Sequence, residues 1–382
     1  MLLRMSMVRQ IGSQQLIKFS PMLISSQKSI LPSRDYCQTA QEEELRNYKY
    51  EVPRYEKINA WDKENKNIKI LGRILSSKRD RSLSDSVVLE GVTMIKDALS
   101  HGLNPSVIVF SREKLLWRLG LEKNKKELKS KLYHIPFTNI KMWTDLTTSP
   151  GIMAAFSKEE ITAKAEASSP LGLTLICDNV RSPDNLGAVI RVAAAAGARQ
   201  ILCTAGCVNV WSPKVVRAAA GAHFLIKIVE NVTWQSLQSD GLIDKYPKVL
   251  LSDLVHDNEA VGQDEEREKQ KALEELEQQC EEEGEKNCYN NQELCDSYKS
   301  LPLETVHQRD LTDLPGFKEA VVVIGGETEG VSGQAHMFCH KHDGIKLHVP
   351  LRNNVNSLNV ISAASIVLFT VRDALINSTK QN

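Results

Sequence analysis

Three short stretches of this 382-residue chain combine residue types that hold anions, polarise oxygens and let a backbone approach a ligand closely. In the first, Asp178 to Ala198, a polar loop with Pro183 and Asn185 leads into an Ala-rich helix that Gly187 opens and that carries Arg191. A helix so poor in polar groups should be buried, so Arg191 is expected to have a specific anionic partner. In the second, Val321 to Ser332, an apolar run ends in Gly325, Gly326 and Glu327. The glycines let the chain pass close to a ligand, and the carboxylate stands where a strand stops. In the third, His348 to Leu375, Pro350 ends a strand and Ser357, Leu358 and Asn359 begin a long apolar helix, with Ser357 as its N-cap. Helix N-termini also bind phosphates and carboxylates, so capping and ligand binding are compatible there.

Strands and helices must position these groups, and the sequence alternates them. From Leu171 onward the strand candidates are TLICD, QILCT, FLIKIVE, KVLLS, AVVVIG and IKLHVP, separated by helical stretches. Near-continuous Val/Ile/Leu runs between helices predict an α/β fold with a mostly parallel sheet covered on both faces. All three clusters then fall at strand ends, where open α/β sheets place their ligands. A nicotinamide-dependent oxidoreductase would put GxGxxG after its first strand, and the loop Asn179 to Asn185 contains no glycine. His336, Cys339, His340 and His342 are of metal-ligand type but lack the paired spacing of a zinc motif, so a partly exposed polar helix and no metal are expected. None of the eight cysteines forms a CxxC pair, which points to free thiols, with Cys203 and Cys207 as small buried apolar residues.

Charge divides the chain further. The formal charge is zero, from 48 basic and 48 acidic residues, yet residues 257–300 hold 15 acidic against 5 basic side chains, leaving a basic remainder. A basic surface fits a polyanionic partner. Residues 1–34 carry five basic residues, seven serines and no acid, the composition of a mitochondrial transit peptide, so residues 1–40 are expected to be a leader to the matrix. Residues 41–67 form an expected polar linker, and 68–157 a small α/β domain whose lysines 123, 125, 126, 129 and 131 could touch phosphates or merely be solvated. The acidic insert, 257–300, lacks periodicity and is expected to be a disordered loop or fraying helix whose deletion, 258–298, leaves ligand binding intact. No uncharged apolar run approaches the ~20 residues needed to cross a bilayer, so no membrane span is expected.

NLGAVIR, IGGETEG and VPLRNNVNSLNVISAA, in this order and each after a strand, resemble the three motifs of the SpoU/TrmH (SPOUT) family of RNA ribose 2′-O-methyltransferases. The resemblance covers residues 171–376 apart from the insert, and the preceding domain looks like the family's L30e-like RNA substrate-binding domain. It implies a C-terminal segment threaded into a trefoil knot, a homodimer, and S-adenosyl-L-methionine as cofactor, with no metal. Carried over residue by residue, it assigns Gly325, Val349 and Leu358 to the cofactor. Arg191, Asn185, Glu327, Ser357 and Asn359 fall to the reacting nucleotide. With the leader, it implies methylation of mitochondrial large-subunit rRNA, naked or in a pre-ribosomal particle, at a guanosine. Arg is protonated at ordinary pH, so Arg191 is better suited to clamping a phosphate and polarising the 2′-oxygen than to being a formal base. One departure stands out: the family commonly has Asn where this chain has Gly326. A non-catalytic RNA-binding assembly factor that keeps the fold is the rival reading, and Gly326 is the residue that favours it.

Overall fold

In a computed structural model of the chain the strand-forming runs assemble into two sheets, one of five strands and one of seven. The structure describes residues 52–58, 65–121, 129–144, 146–165, 170–239, 241–243, 247–252, 271, 273–274, 292–300, 303–313, 317–327, 330–353 and 355–380. The expected leader 1–40, Cys37, Cys280, Cys288, Lys123, Lys125, Lys126 and most of the acidic insert lie outside the described residues.

The smaller sheet contains β1 (Glu56–Lys57), β2 (Ser86–Glu90), β3 (Val107–Phe110), β4 (Lys131–His134) and β5 (Ile152–Ser157) in the order β1-β4-β3-β5-β2. Pairing is parallel from β1 to β3 and antiparallel through β5 and β2. Helix α1 (Lys66–Ser76) lays Ile68, Leu71 and Ile74 on Val107, Val109 and Tyr133 of one face. α2 (Lys78–Leu83), α3 (Val92–Ser100), α4 (Glu113–Arg118), α5 (Phe137–Trp143) and α6 (Lys158–Lys164) follow in turn. The stretch expected to be a linker therefore supplies an edge strand and the first two residues of α1, Lys66 and Asn67, ahead of the expected domain start at 68. Asn65 sets that start, its side chain accepting the N–H groups of Asn67 and Ile68.

The larger sheet holds β6 (Leu171–Asp178), β7 (Ala198–Thr204), β8 (Lys227–Val232), β9 (Lys248–Ser252), β10 (Thr305–His307), β11 (Ala320–Gly325) and β12 (Ile345–His348). Its order is β10-β12-β9-β11-β6-β7-β8, and every pairing in it is parallel. The expected strand FLIKIVE begins later than the sequence indicates, at Lys227, because Ala222–Phe224 wind into a 3-10 turn first. β10 escapes the sequence pattern: its three residues, Thr-Val-His, carry too little apolar character to stand out. Between the strands run α7 (Pro183–Ala196), α8 (Pro213–Ala219), α9 (Trp234–Ser239), α10 (Gln292–Ser300), α11 (Gly333–Lys341) and α12 (Val360–Lys380). Strand order reverses at the β6/β11 boundary, the topological switch point at which such folds open a crevice.

Two helices bear on the sequence expectations. α12 is long and apolar enough to cross a membrane by length and composition, although Arg372 and Asp373 interrupt its apolar run. Its Ala364, Val367, Leu368, Val371, Ala374 and Leu375 nonetheless lie in the main core, each buried Val or Leu contributing about 1.5–3 kcal/mol. The acidic insert is also not devoid of structure at its end. α10 buries Leu294, Cys295 and Tyr298 in a cluster with Leu273 and Met337, and a Cβ on Gly333 would stand 2.4 Å from the Cys295 carbonyl oxygen. A deletion of 258–298 would strip this cover from α11.

Candidate active site

The apolar run of β6 ends in a carboxylate, Asp178, directly beside the end of β11, where Gly325 is its register partner. Asp178 is fully buried; one oxygen accepts the Ser332 N–H at 2.7 Å and the other the Asn179 side-chain amide at 3.0 Å. Burial pushes its carboxyl above the usual range, and the bonds from Ser332 pull it back. Ser332 is the N-cap of α11, so this one buried group ties the loop after β6 to the loop after β11. Sequence reasoning gives Asp178 no role; an acid closing the run TLICD is the available signal.

After Asp178 the chain turns through Asn179 at φ 54°, with its N–H donating to Thr204 Oγ1 at 3.1 Å. The loop after β11 doubles back on itself through a Gly326–Gly330 bridge. A Cβ on Gly325 would lie 2.2 Å from the Gly330 carbonyl oxygen, and one on Gly326 2.8 Å from that of Asn179. Both glycines are required by backbone closeness, which gives Gly326 a structural cause in this chain. At this end of the sheet the main chain of Gly325 and Gly326 packs directly against that of Gly330 and Asn179.

The second and third motifs meet in a hydrogen bond: Asn359 donates its side-chain amide to Glu327 Oε1 at 2.7 Å. Asn359 Oδ1 accepts the Ile361 N–H at 2.9 Å, and its carbonyl accepts that of Ala363. Asn359 is thus the N-cap of α12, which begins at Val360. Ser357, expected to be the cap, is exposed two residues upstream. Leu358 is half-buried, and Val349, just past β12, packs partly buried on the main core.

α7 starts at Pro183, not at Gly187, and Asn185 in its first turn is 7% exposed. Gly187 serves helix packing: a Cβ there would sit 2.5 Å from both the Ala218 Cβ and the Val215 carbonyl oxygen of α8. Val189, Ile190 and Ala193 face inward, whereas Arg191 is exposed along with Asp184 and Ala195. The expectation of a buried, paired Arg191 is corrected. α7 is amphipathic through small residues, so alanines that suit a core stripe also occupy its open face. Among the described residues no carboxylate pairs with Arg191, and no hydrogen bond joins Arg191 or Ser357 to Glu327 or Asn359.

The remaining candidates are placed differently. α11 buries His336 and Cys339 rather than lying partly exposed, and burial lowers the pKa of His340 and His342. Among the described residues no group of three or more His, Cys, Asp or Glu could hold a metal. Cys177 and Cys203 are buried register partners, and the half-buried Cys207 thiol donates to the Cys177 carbonyl at 3.1 Å. Neighbouring thiols and burial raise the pKa of Cys203 and Cys207, so both are protonated, unreactive thiols. A groove of about 930 Å³ lined by Lys158, Arg199, Trp211, Lys227 and Glu230 contains none of the motif residues.

The geometry to be matched is a parallel α/β sheet with close-packed glycine main chain at its switch point and a Glu327–Asn359 hydrogen bond beside it. The chain belongs to the SpoU rRNA methylase family, whose model matches residues 172–243, and it is an RNA methyltransferase. Within that family it is 35% identical over 331 residues to rRNA methyltransferase 3A, mitochondrial, of Danio rerio, covering 85% of this chain and 71% of that relative. Solved structures share the fold. The AdoMet-bound rRNA methyltransferase from Sinorhizobium meliloti aligns with a TM-score of 0.55 at 19% identity, over 84% of this chain and 98% of that one. An RNA 2′-O ribose methyltransferase aligns with a TM-score of 0.52 at 20% identity, over 84% and 99%.

Proposed function

We propose that the chain transfers a methyl group from S-adenosyl-L-methionine to a ribose 2′-oxygen of mitochondrial large-subunit rRNA, at a guanosine, in the mitochondrial matrix. The observation that carries this reading is the Asn359–Glu327 hydrogen bond, which draws the second and third motifs together beside the close-packed main chain of Gly325 and Gly326. The similarity to relatives named for mitochondrial rRNA and to a structure named for 2′-O ribose transfer supports the substrate and the position modified.

The cofactor's sulfonium supplies an activated methyl group, so the chain needs only to orient the acceptor and manage its proton. Gly325, Val349 and Leu358 would hold the cofactor through their main-chain groups. Glu327, fixed by Asn359, presents a carboxylate to the nucleotide, and Asn185 shapes the base of the site at the start of α7. Ser357 and Arg191 are exposed and open to RNA. Arg191, always cationic, clamps a phosphate and polarises the 2′-oxygen without acting as the formal base. The small domain presents the RNA, and a homodimer completes the assembly. The knotted threading belongs to the same reading: β12 is inserted between β9 and β10 instead of being added at an edge.

Two measurements test it. S-adenosyl-L-methionine should raise the melting temperature while NAD does not, by linkage to the folded state. Incubation with large-subunit rRNA should then yield a nuclease-resistant dinucleotide containing 2′-O-methylguanosine. Methyl transfer to a base, or none to either RNA or particle despite cofactor binding, would overturn the reading.

A further inference from the structure

The small domain carries a cationic surface that the methyl-transfer site does not use. α1 and α2 together hold Lys66, Lys69, Arg73, Lys78, Arg79 and Arg81 against a single acid, Asp80. On α1 the inward stripe is Ile68, Leu71 and Ile74, and the opposite face within one ~100° arc is Lys66, Lys69, Ile70 and Arg73. Lys66, Lys69, Arg73, Lys78 and Arg79 are all exposed, and among the described residues none has a carboxylate partner.

The frame beneath them is rigid. Ser77 closes α1 with its N–H on the Arg73 carbonyl at 3.0 Å and opens α2 with its hydroxyl accepting the Asp80 N–H at 3.2 Å. Arg81 is the exception among the cations. Half-buried, it donates to the carbonyls of Ile74 and Leu75 at 3.0 Å each, locking α2 onto the end of α1. Lys158 donates in turn to the Arg81 carbonyl at 3.3 Å, and Asn67 of α1 is bonded to the Tyr133 hydroxyl at 3.0 Å. The five cations therefore project from a fixed helical frame, with no carboxylate partner among the described residues. Lys66 to Arg73 spans about 10 Å of helix axis, a length over which a nucleic-acid strand presents several phosphates.

We infer that the exposed face of α1 and α2 is a phosphate-backbone contact for the RNA substrate, made by Lys66, Lys69, Arg73, Lys78 and Arg79. Isolated surface lysines are ordinarily solvated and paired with nearby acids. Here Asp80 is the one acid on the two helices and pairs with none of the five cations, the frame is fixed, and the protein acts on a polyanion. Such contacts position RNA without reading its sequence. Ile70, 44% exposed amid the charges, offers an apolar contact to a ribose or base. The inference rests on the rRNA-methyltransferase reading for its choice of partner.

The test uses the full chain and an in vitro transcript of mitochondrial large-subunit rRNA, with affinity measured as a function of salt. Replacing all five cations by Gln should weaken binding at least about tenfold at 0.1 M salt. It should also reduce the slope of log affinity against log salt by about 0.7–0.9 for each phosphate no longer neutralised. A charge-preserving variant, with Lys66, Lys69 and Lys78 changed to Arg and Arg73 and Arg79 to Lys, should bind as wild type does. The two-site variant Lys69→Gln/Arg73→Gln should show about two-fifths of the slope change and serves if the five-site variant does not fold. Cofactor-induced thermal stabilisation should be the same in every folded variant. Unchanged affinity and slope in the Gln variants overturn the proposal alone. A wild type that binds RNA through these residues but methylates nothing leaves the proposal standing and defeats the activity reading. A wild type that binds no rRNA defeats both.

Discussion

Asn359 performs two tasks with its two ends, and substitutions can separate them. Its Oδ1 caps α12 through the Ile361 N–H at 2.9 Å, and its amide holds Glu327 at 2.7 Å. Asn359→Ala removes both, and loss of an N-cap costs about 1 kcal/mol, within a range of roughly 0.5–2. In a domain of this size that corresponds to a fall of about 2–4 °C in Tm per kcal/mol. Asn359→Asp keeps the cap, because Asp and Asn cap equally well and a carboxylate suits a helix N-terminus. It replaces the donor facing Glu327 with a second negative charge, a repulsion of about 1 kcal/mol at 4 Å in a water-like dielectric. The two carboxylates should swing apart and Glu327 should lose its fixed position. The assay is a thermal melt beside methyl-transfer kinetics at saturating cofactor. Asp should match wild type in Tm and lose at least about tenfold in kcat, and Ala should lose both. An Asp variant with wild-type kcat would refute the idea that the Asn359–Glu327 bond organises the site. An Asp variant as unstable as Ala would refute the capping assignment.

Three further outcomes follow from other parts of the structure. Gly326→Asn, which restores the common family residue, should destabilise by about 1–3 kcal/mol, because its Cβ would meet the Asn179 carbonyl oxygen at 2.8 Å; a Tm equal to wild type would show that the loop shifts at no cost. Leu294→Ala in α10 should cost about 2–5 kcal/mol in denaturant unfolding, since this side chain is fully buried with Tyr298 and Met337; wild-type stability would mean that the end of the acidic insert does not pack there. His223 is buried, donates Nε2–H to the Val210 carbonyl at 2.9 Å, and has its pKa lowered by burial to about 4. The unfolded chain binds the extra proton between about pH 6.5 and 4, so stability should fall as pH drops through that window, by up to about 3 kcal/mol. His223→Gln should flatten that part of the pH profile, and an equally steep profile in the variant would remove His223 as its source.

Much of the larger sheet is legible in the sequence because its strands are unbroken apolar runs; KVLLS and AVVVIG match β9 and β11 to the residue. The three motif clusters do fall at strand ends, since an open parallel sheet leaves its functional residues nowhere else to converge. What stays hidden depends on three dimensions. Arg191 reads as buried because helix alanines suit either a core or an open face, and only packing against α8 decides which face is which. The sequence puts the cap of α12 two residues early because Ser and Asn are equally good caps, and only the hydrogen bond to Ile361 selects Asn359. α10 is masked by the surrounding glutamates, although Leu294, Cys295 and Tyr298 share one helical face. Asp178 gives no sign of its role because its partner, Ser332, is 154 residues away.

Single-turnover transfer of radiolabelled methyl from S-adenosyl-L-methionine to large-subunit rRNA, by wild type and Arg191→Ala, addresses the central claim most directly. Arg191 is exposed and unpaired among the described residues, so its removal should leave Tm and cofactor binding unchanged. The predicted result is nuclease-resistant 2′-O-methyl product from wild type and a loss of at least about a hundredfold in rate for the variant, a barrier increase of roughly 2.7 kcal/mol. Equal rates from the two proteins would contradict the assignment of the site, and no 2′-O-methyl product from wild type would contradict the account as a whole.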